Sequence, residues 1–104
     1  MFIYHIVLPE VWEHFRVRPS YQAESLVLEG FIHCSYAEQI DDVLRRYYQN
    51  AGNVLILKID TTKLRSKLVE EPSTNGEIFP HLYGRLNHDA VVDIESRQTA
   101  AAAG

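Results

Sequence analysis

Cysteine is nearly absent from this chain of 104 residues: Cys34 alone carries a thiol, so no internal disulfide can form and a reducing cytoplasm is the expected compartment. Long hydrophobic runs are missing too. None exceeds four residues, as in Val54 to Leu57, far below the ~20 that a membrane-spanning helix needs. The N-terminus has no basic, apolar and small-residue succession of the kind that makes a signal peptide. Basic charge is in short supply, with 10 Lys and Arg against 14 Asp and Glu and a net charge of −4. That balance removes the long-range attraction for phosphate backbones on which most nucleic-acid binding depends. Arg45 and Arg46, an adjacent basic pair, read as the solvated face of a helix. Neither G-x-G-x-x-G nor G-x-x-x-x-G-K-[ST] occurs, so ordinary dinucleotide and nucleoside-triphosphate folds are not indicated. No cysteines or histidines stand at C-x₂-C or H-x₃₋₅-H spacing, and no metal is expected.

What is present suits one core. An apolar share of 46% fills a single domain, and a chain of this size buries roughly 65% of its unfolded surface on folding. Residues 1–96 are expected to form that domain, with 97–104 as an unstructured or appended tail. "FIYHIV", Phe2 to Val7, reads as a strand with Ile3, His5 and Val7 on one face. Pro9 suits a first helical position, ahead of Val11, Trp12 and Phe15 on one helix face that stops before Pro19. "AESLVLEG" predicts a second short helix, ended by Gly30 in the left-handed conformation. "FIHCS" follows as a strand.

Ser35 and Glu38 have capping-box spacing at the start of the next helix, which carries Ile40, Val43, Leu44, Tyr47 and Tyr48 on one face and runs to about Asn50. "VLILKID" reads as a central strand covered on both faces. Thr62 is expected to cap a brief helix bearing Leu64 and Leu68, and "EEPSTNG" to form a surface loop. Pro80 and Gly84 make "EIFPHLYGRLN" an edge strand or an ordered loop. "AVVDIE", Ala90 to Glu95, is the last strand. The class is therefore α+β, with a small, mostly antiparallel core and two to four short helices.

Candidate chemistry rests on histidine. His5, His33 and His81 sit in extended apolar stretches of separate elements and can converge on one pocket; equally, each can pack with one ring nitrogen bonded to backbone. In a strand His33 and Ser35 face one side and Cys34 the other, which argues against a Cys–His nucleophilic pair and assigns Cys34 to the core. Ser35 stands outside any G-x-S-x-G and has the capping role instead. Tyr83 shares a face with His81 if the segment is extended, and such a pair suits stacking on a planar ring.

Taken in order, "IYHI", Trp12, "EGFIHCS", Gln39, "LILKID", "EEPS", "GEIFPHLYGRLN" and "AVVDI" resemble the bacterial family known as domain of unknown function 952. The similarity runs from Ile3 to about Ile94, and "GFIHCS" and "FPHLYG" are its most specific pieces. The chain departs from the family form at Glu70, where a tryptophan is usual, and at Arg85, where a proline is usual. That family looks like a compact relative of the ADP-ribosyltransferase fold, which implies a split β core around a cleft for NAD. The resemblance implies that His5, on the first strand, touches a ribose, that His33, Ser35, His81 and Tyr83 bind the ligand, and that Glu71 is the catalytic carboxylate. The order around "EGFIHCS" is also similar to the tRNA 2′-phosphotransferases. Phe31 and Ile32 stand where those enzymes tend to be basic, so that activity is not implied.

Three readings stay open at this point. The first is a histidine-lined cleft that binds NAD or an ADP-ribosyl compound and transfers or cleaves it. The second is a non-catalytic small-molecule binding module. The third is a partner-docking domain in which the histidines are structural.

Overall fold

The computed structural model describes residues 1–99. Among the described residues, three antiparallel sheets and three short helices make up the fold. Strand β1 (Phe2–Val7) leads through Leu8 into helix α1 (Pro9–Arg16), with Pro9 at the first helical position as expected. A two-residue strand β2 (Ser20–Tyr21) and helix α2 (Glu24–Glu29) follow, then β3 (Ile32–His33). Gly30 ends α2 at φ 90, and its N–H is bonded to the carbonyls of Ser25 and Leu26. A 3₁₀ turn over Ala37–Gln39 opens helix α3 (Ile40–Tyr47), which ends three residues short of the expected Asn50. Strand β4 (Asn53–Asp60) lies between β1 and β8 (Val91–Gln98), as its unbroken apolar pattern predicts.

Several expectations are corrected in the second half. Thr62 opens no helix through Leu68. Residues 61–63 form one 3₁₀ turn, in which Asp60 accepts from the Thr62 N–H at 3.0 Å, and the chain then extends as β5 (Lys67–Pro72). Glu70 and Glu71 are therefore strand residues. β6 (Ile78–Tyr83) is the middle strand of the sheet β3-β6-β5, where an edge was expected. Pro80 is tolerated there because its carbonyl still serves, accepting from the Cys34 N–H at 3.1 Å. A short β7 (Leu86–Asn87) pairs with β2. The last strand runs on to Gln98, and Thr99 donates its N–H to the Gly52 carbonyl at 2.7 Å, so residues 97–99 belong to the fold and not to a tail. The remainder of the expected tail lies outside the described residues.

Strand alternation divides the packing. Ile3, Val7, Leu57 and Ile59 face a main core shared with Trp12, Tyr21, Ile32, Cys34 and Leu82. On the opposite face of the same sheet, Ile6, Val54 and Ile56 carry Ile40 and Leu44 of α3. The sheets β1-β4-β8 and β3-β6-β5 are joined where Tyr4 and Ser35 exchange backbone hydrogen bonds of 2.8 and 2.7 Å. Among the described residues no helix is long and apolar enough to cross a membrane.

Candidate functional site

The face of β3-β6-β5 away from the main core carries the chemistry, because period-2 alternation sends Ile32 and Leu82 into that core and turns His33 and His81 to the other side, where His33 is exposed and His81 is buried against Phe31. His33 and His81 are register partners, and their rings stand edge to face with centroids 5.5 Å apart. Phe31, two residues before His33, lies nearly parallel on His81 at 4.1 Å and 19°. Glu71 is opposite Phe79 and so diagonal to His81, within the reach of a cross-strand pair. Its Oε1 accepts from His81 Nδ1 at 2.9 Å and from the Tyr83 hydroxyl at 2.6 Å. Those two bonds, that of Tyr83 first, hold the Glu71 carboxyl below the usual carboxylate range, and the same contact raises the Tyr83 phenol.

A carboxylate can only accept, so His81 Nδ1 carries the proton of this bond and Nε2 is the ring nitrogen left for another partner. No described residue hydrogen-bonds that Nε2. His33 repeats the arrangement in mirror form, with Nε2 2.9 Å from Glu29 Oε2 and Nδ1 left over. Two imidazoles, each oriented by its own carboxylate and each with one basic nitrogen to spare, can accept or deliver a proton to a bound molecule.

Both histidines line a cavity of about 590 Å³. Phe31, Ser35 and Phe79 line it from the sheet, Val43, Tyr47 and Tyr48 from α3, and Pro72, Ser73 and Thr74 from the tip of the β5–β6 hairpin. The helix is held in place by Gln39, whose Nε2 donates to the Ile78 carbonyl at 2.8 Å and to Glu77 at 3.1 Å while its Oε1 accepts from the Tyr36 N–H at 2.9 Å. That last bond is the helix cap. The expected Ser35–Glu38 box does not form, because the helix starts one residue later. Ser35 spends its backbone on Tyr4 and lines the cavity instead.

Of the residues expected in one cleft, the structure brings together His33, Ser35 and His81. Tyr83 and Glu71 stand behind them and outside the lining. Glu71 reaches the cavity only through His81. His5 is elsewhere: it is buried in the core, its Nδ1 donating to the His33 carbonyl at 2.6 Å and its Nε2 accepting from the Tyr21 hydroxyl at 2.8 Å. Burial lowers its pKa from 6.5 to about 4 against the opposing effect of the His33 carbonyl, so near neutrality the ring is uncharged. Cys34 is buried as expected, and burial pushes its thiol up to about 12. Among the described residues no three His, Cys, Asp or Glu side chains gather to hold a metal ion.

Sequence reasoning missed Phe31, Glu29 and Tyr21. The first was legible, since Phe31, His33 and Ser35 share a strand face. Glu29 ends a helix and comes beside His33 only after the Gly30 turn, and Tyr21 meets His5 through tertiary packing.

A family model described as "Protein of unknown function (DUF952)" matches residues 6–94. The crystal structure of protein CC0527 from Caulobacter crescentus superposes with a TM-score of 0.84 at 26% identity, covering 92% of this chain and 85% of that one. Its solution NMR structure gives 0.78 at 26% identity, over 90% and 82% of the two chains. No curated protein matches the chain.

Proposed function

The chain belongs to the DUF952 family, described as proteins of unknown function, and from that premise we propose that its cavity binds NAD or another ADP-ribosyl compound and acts on the bond between ribose and heterocycle. The observation that carries this reading is the Phe31–His81 stack in the cavity wall, with Glu71 fixing the imidazole from behind. Flat aromatic faces suit a planar heterocycle. The hydroxyls of Ser35, Ser73 and Thr74 suit those of a ribose. Breaking the bond from ribose to ring nitrogen leaves the electron pair on the departing heterocycle and builds oxocarbenium charge on the sugar, which a nearby carboxylate stabilises until water bonds to the anomeric carbon and gives up a proton. Glu29 is the carboxylate in the lining, and Glu71 acts through His81 as a positioning residue.

One observation favours a non-catalytic binding module as the second reading. Glu71, the expected catalytic carboxylate, is already engaged by Tyr83 and His81 and does not line the cavity. Titration with NAD and with ADP-ribose, followed by amide chemical shifts, tests binding. Shifts concentrated at Phe31, His33, Ser35 and His81 are expected, and their absence overturns the proposal. Nicotinamide release from NAD by the native chain, reduced at least about tenfold in Glu71→Gln, supports catalysis. Binding without release leaves the module.

A further inference from the structure

We infer that the moiety selected by this cavity is a cationic N-ribosyl pyridinium, and that a diphosphate is not held inside it; the inference rests on the binding reading above. The lining contains no lysine and no arginine among the described residues, and its one formally charged side chain is Glu29. The strongest phosphate ligands are guanidinium and ammonium groups and backbone N–H groups at a helix start, whereas His33, His81, Ser35, Ser73 and Thr74 offer only neutral or already engaged donors. Arg45 and Arg46 ride on the helix that brings Tyr47 and Tyr48 to the cavity, yet each turns to Asp42 at 3.0 Å. The imidazoles of His33 and His81 are each already engaged by a carboxylate of the protein, at 2.9 Å in both cases.

A diphosphate brought into such a lining meets the Glu29 carboxylate, and no lysine or arginine of the described lining residues is there to offset it. A pyridinium meets the opposite conditions. The rings of Phe31, Phe79 and Tyr47 give the cavity an aromatic lining, which favours a flat cation, and the Glu29 carboxylate adds direct charge attraction. The oxidised nicotinamide ring attached to ribose is a cation of this kind, and its dihydro form has almost the same shape without the charge. Charge on the ring, rather than the adenylate end of a dinucleotide, therefore decides affinity.

Calorimetric titration of the full chain with nicotinamide riboside, its dihydro form, NAD, ADP-ribose and the 1-methylnicotinamide cation tests this. The oxidised riboside is expected to bind about tenfold more tightly than the dihydro form, with ADP-ribose weaker than the oxidised riboside. Glu29→Gln is expected to shrink the oxidised-to-reduced ratio several-fold, and because Glu29 is exposed the variant keeps the native melting temperature. Equal affinity for the two redox forms overturns the inference, as does binding of NAD or ADP-ribose more than about tenfold tighter than the riboside. Either result leaves the ribosyl reading standing. Binding of the 1-methylnicotinamide cation alone upholds the charge selection and removes the ribose from the reading. If no compound binds, both fall.

Discussion

A histidine whose two ring nitrogens are both satisfied by the protein is a folding residue before it is anything else. His5 donates to the His33 carbonyl and accepts from Tyr21, and its depressed pKa has a direct thermodynamic consequence. The unfolded chain binds the His5 proton below 6.5 while the folded chain refuses it down to about 4, so the unfolded state holds more protons across that window. Stability therefore rises with pH there and is lost as the pH falls. Urea unfolding of the native chain at about pH 5 is expected to give a stability about 2 kcal/mol below that at about pH 7. His5→Asn, which retains a donor for the His33 carbonyl but cannot titrate, is expected to be less stable throughout and to lose most of that slope. A slope equal to that of the native chain would place the proton uptake on another group. Sequence alone located His5 on the inward face of a strand, and the error lay in what it meets there. The Tyr21 hydroxyl, contributed by a two-residue strand too short to show a period, turns the imidazole into a core group.

At the scale of elements, local signals that depend on a few neighbouring residues were the legible ones. Pro9 at a helix start, Gly30 at a helix end and the amphipathic face of α3 each state a geometry that the chain adopts. Gly30 sits at φ 90 with no heavy atom within 4 Å of where a Cβ would stand, so alanine there meets backbone strain and nothing else. Gly30→Ala is expected to lower stability by about 1 kcal/mol, and Gly30→Asn, whose side chain tolerates the left-handed region, by less. Gly84, at φ 150, presents a harder case, because a Cβ there would strike the Ser66 side chain, and its alanine variant is expected to lose more than Gly30→Ala. Thermal melts of the three variants check the order, and equal losses at Gly30 and Gly84 would show that Ser66 simply moves aside. The elements misread were those whose form depends on distant partners. Lys67–Pro72 becomes a strand because β6 lies alongside it, and β6 becomes a middle strand because both β3 and β5 pair with it despite Pro80.

For the whole molecule, the candidate site exists only because two separate packing units are held in one arrangement. One wall of the cavity is the outer face of β3-β6-β5, and the other is α3, which is carried by β1-β4-β8 through Ile40 and Leu44. That is why the site was half legible. The alternation of Phe31, His33 and Ser35 is local, whereas the pairing of His33 with His81 and the approach of Tyr47 and Tyr48 are consequences of register and docking. Among the described residues, polar connections fix the walls relative to each other: the reciprocal backbone bonds of Tyr4 and Ser35, the His5 bond to the His33 carbonyl, and the Gln39 side chain reaching from the start of α3 to β6. If these hold, the sheets open together, and the amides of Tyr4, Ser35 and His81 exchange with solvent as slowly as those of the central strand β4. Native-state hydrogen exchange measures this directly. Exchange of Ser35 and His81 far ahead of Ile56 and Leu57 would show that β3-β6-β5 opens separately. In Gln39→Ala the Ile78 carbonyl and the Tyr36 N–H both lose their side-chain partner. Protection at His81 is then expected to fall about tenfold while β4 is unchanged, which corresponds to the loss of about 1.4 kcal/mol from the two hydrogen bonds together. Loss of protection at both sites together would instead mean that the clamp supports the global fold and not the cavity alone.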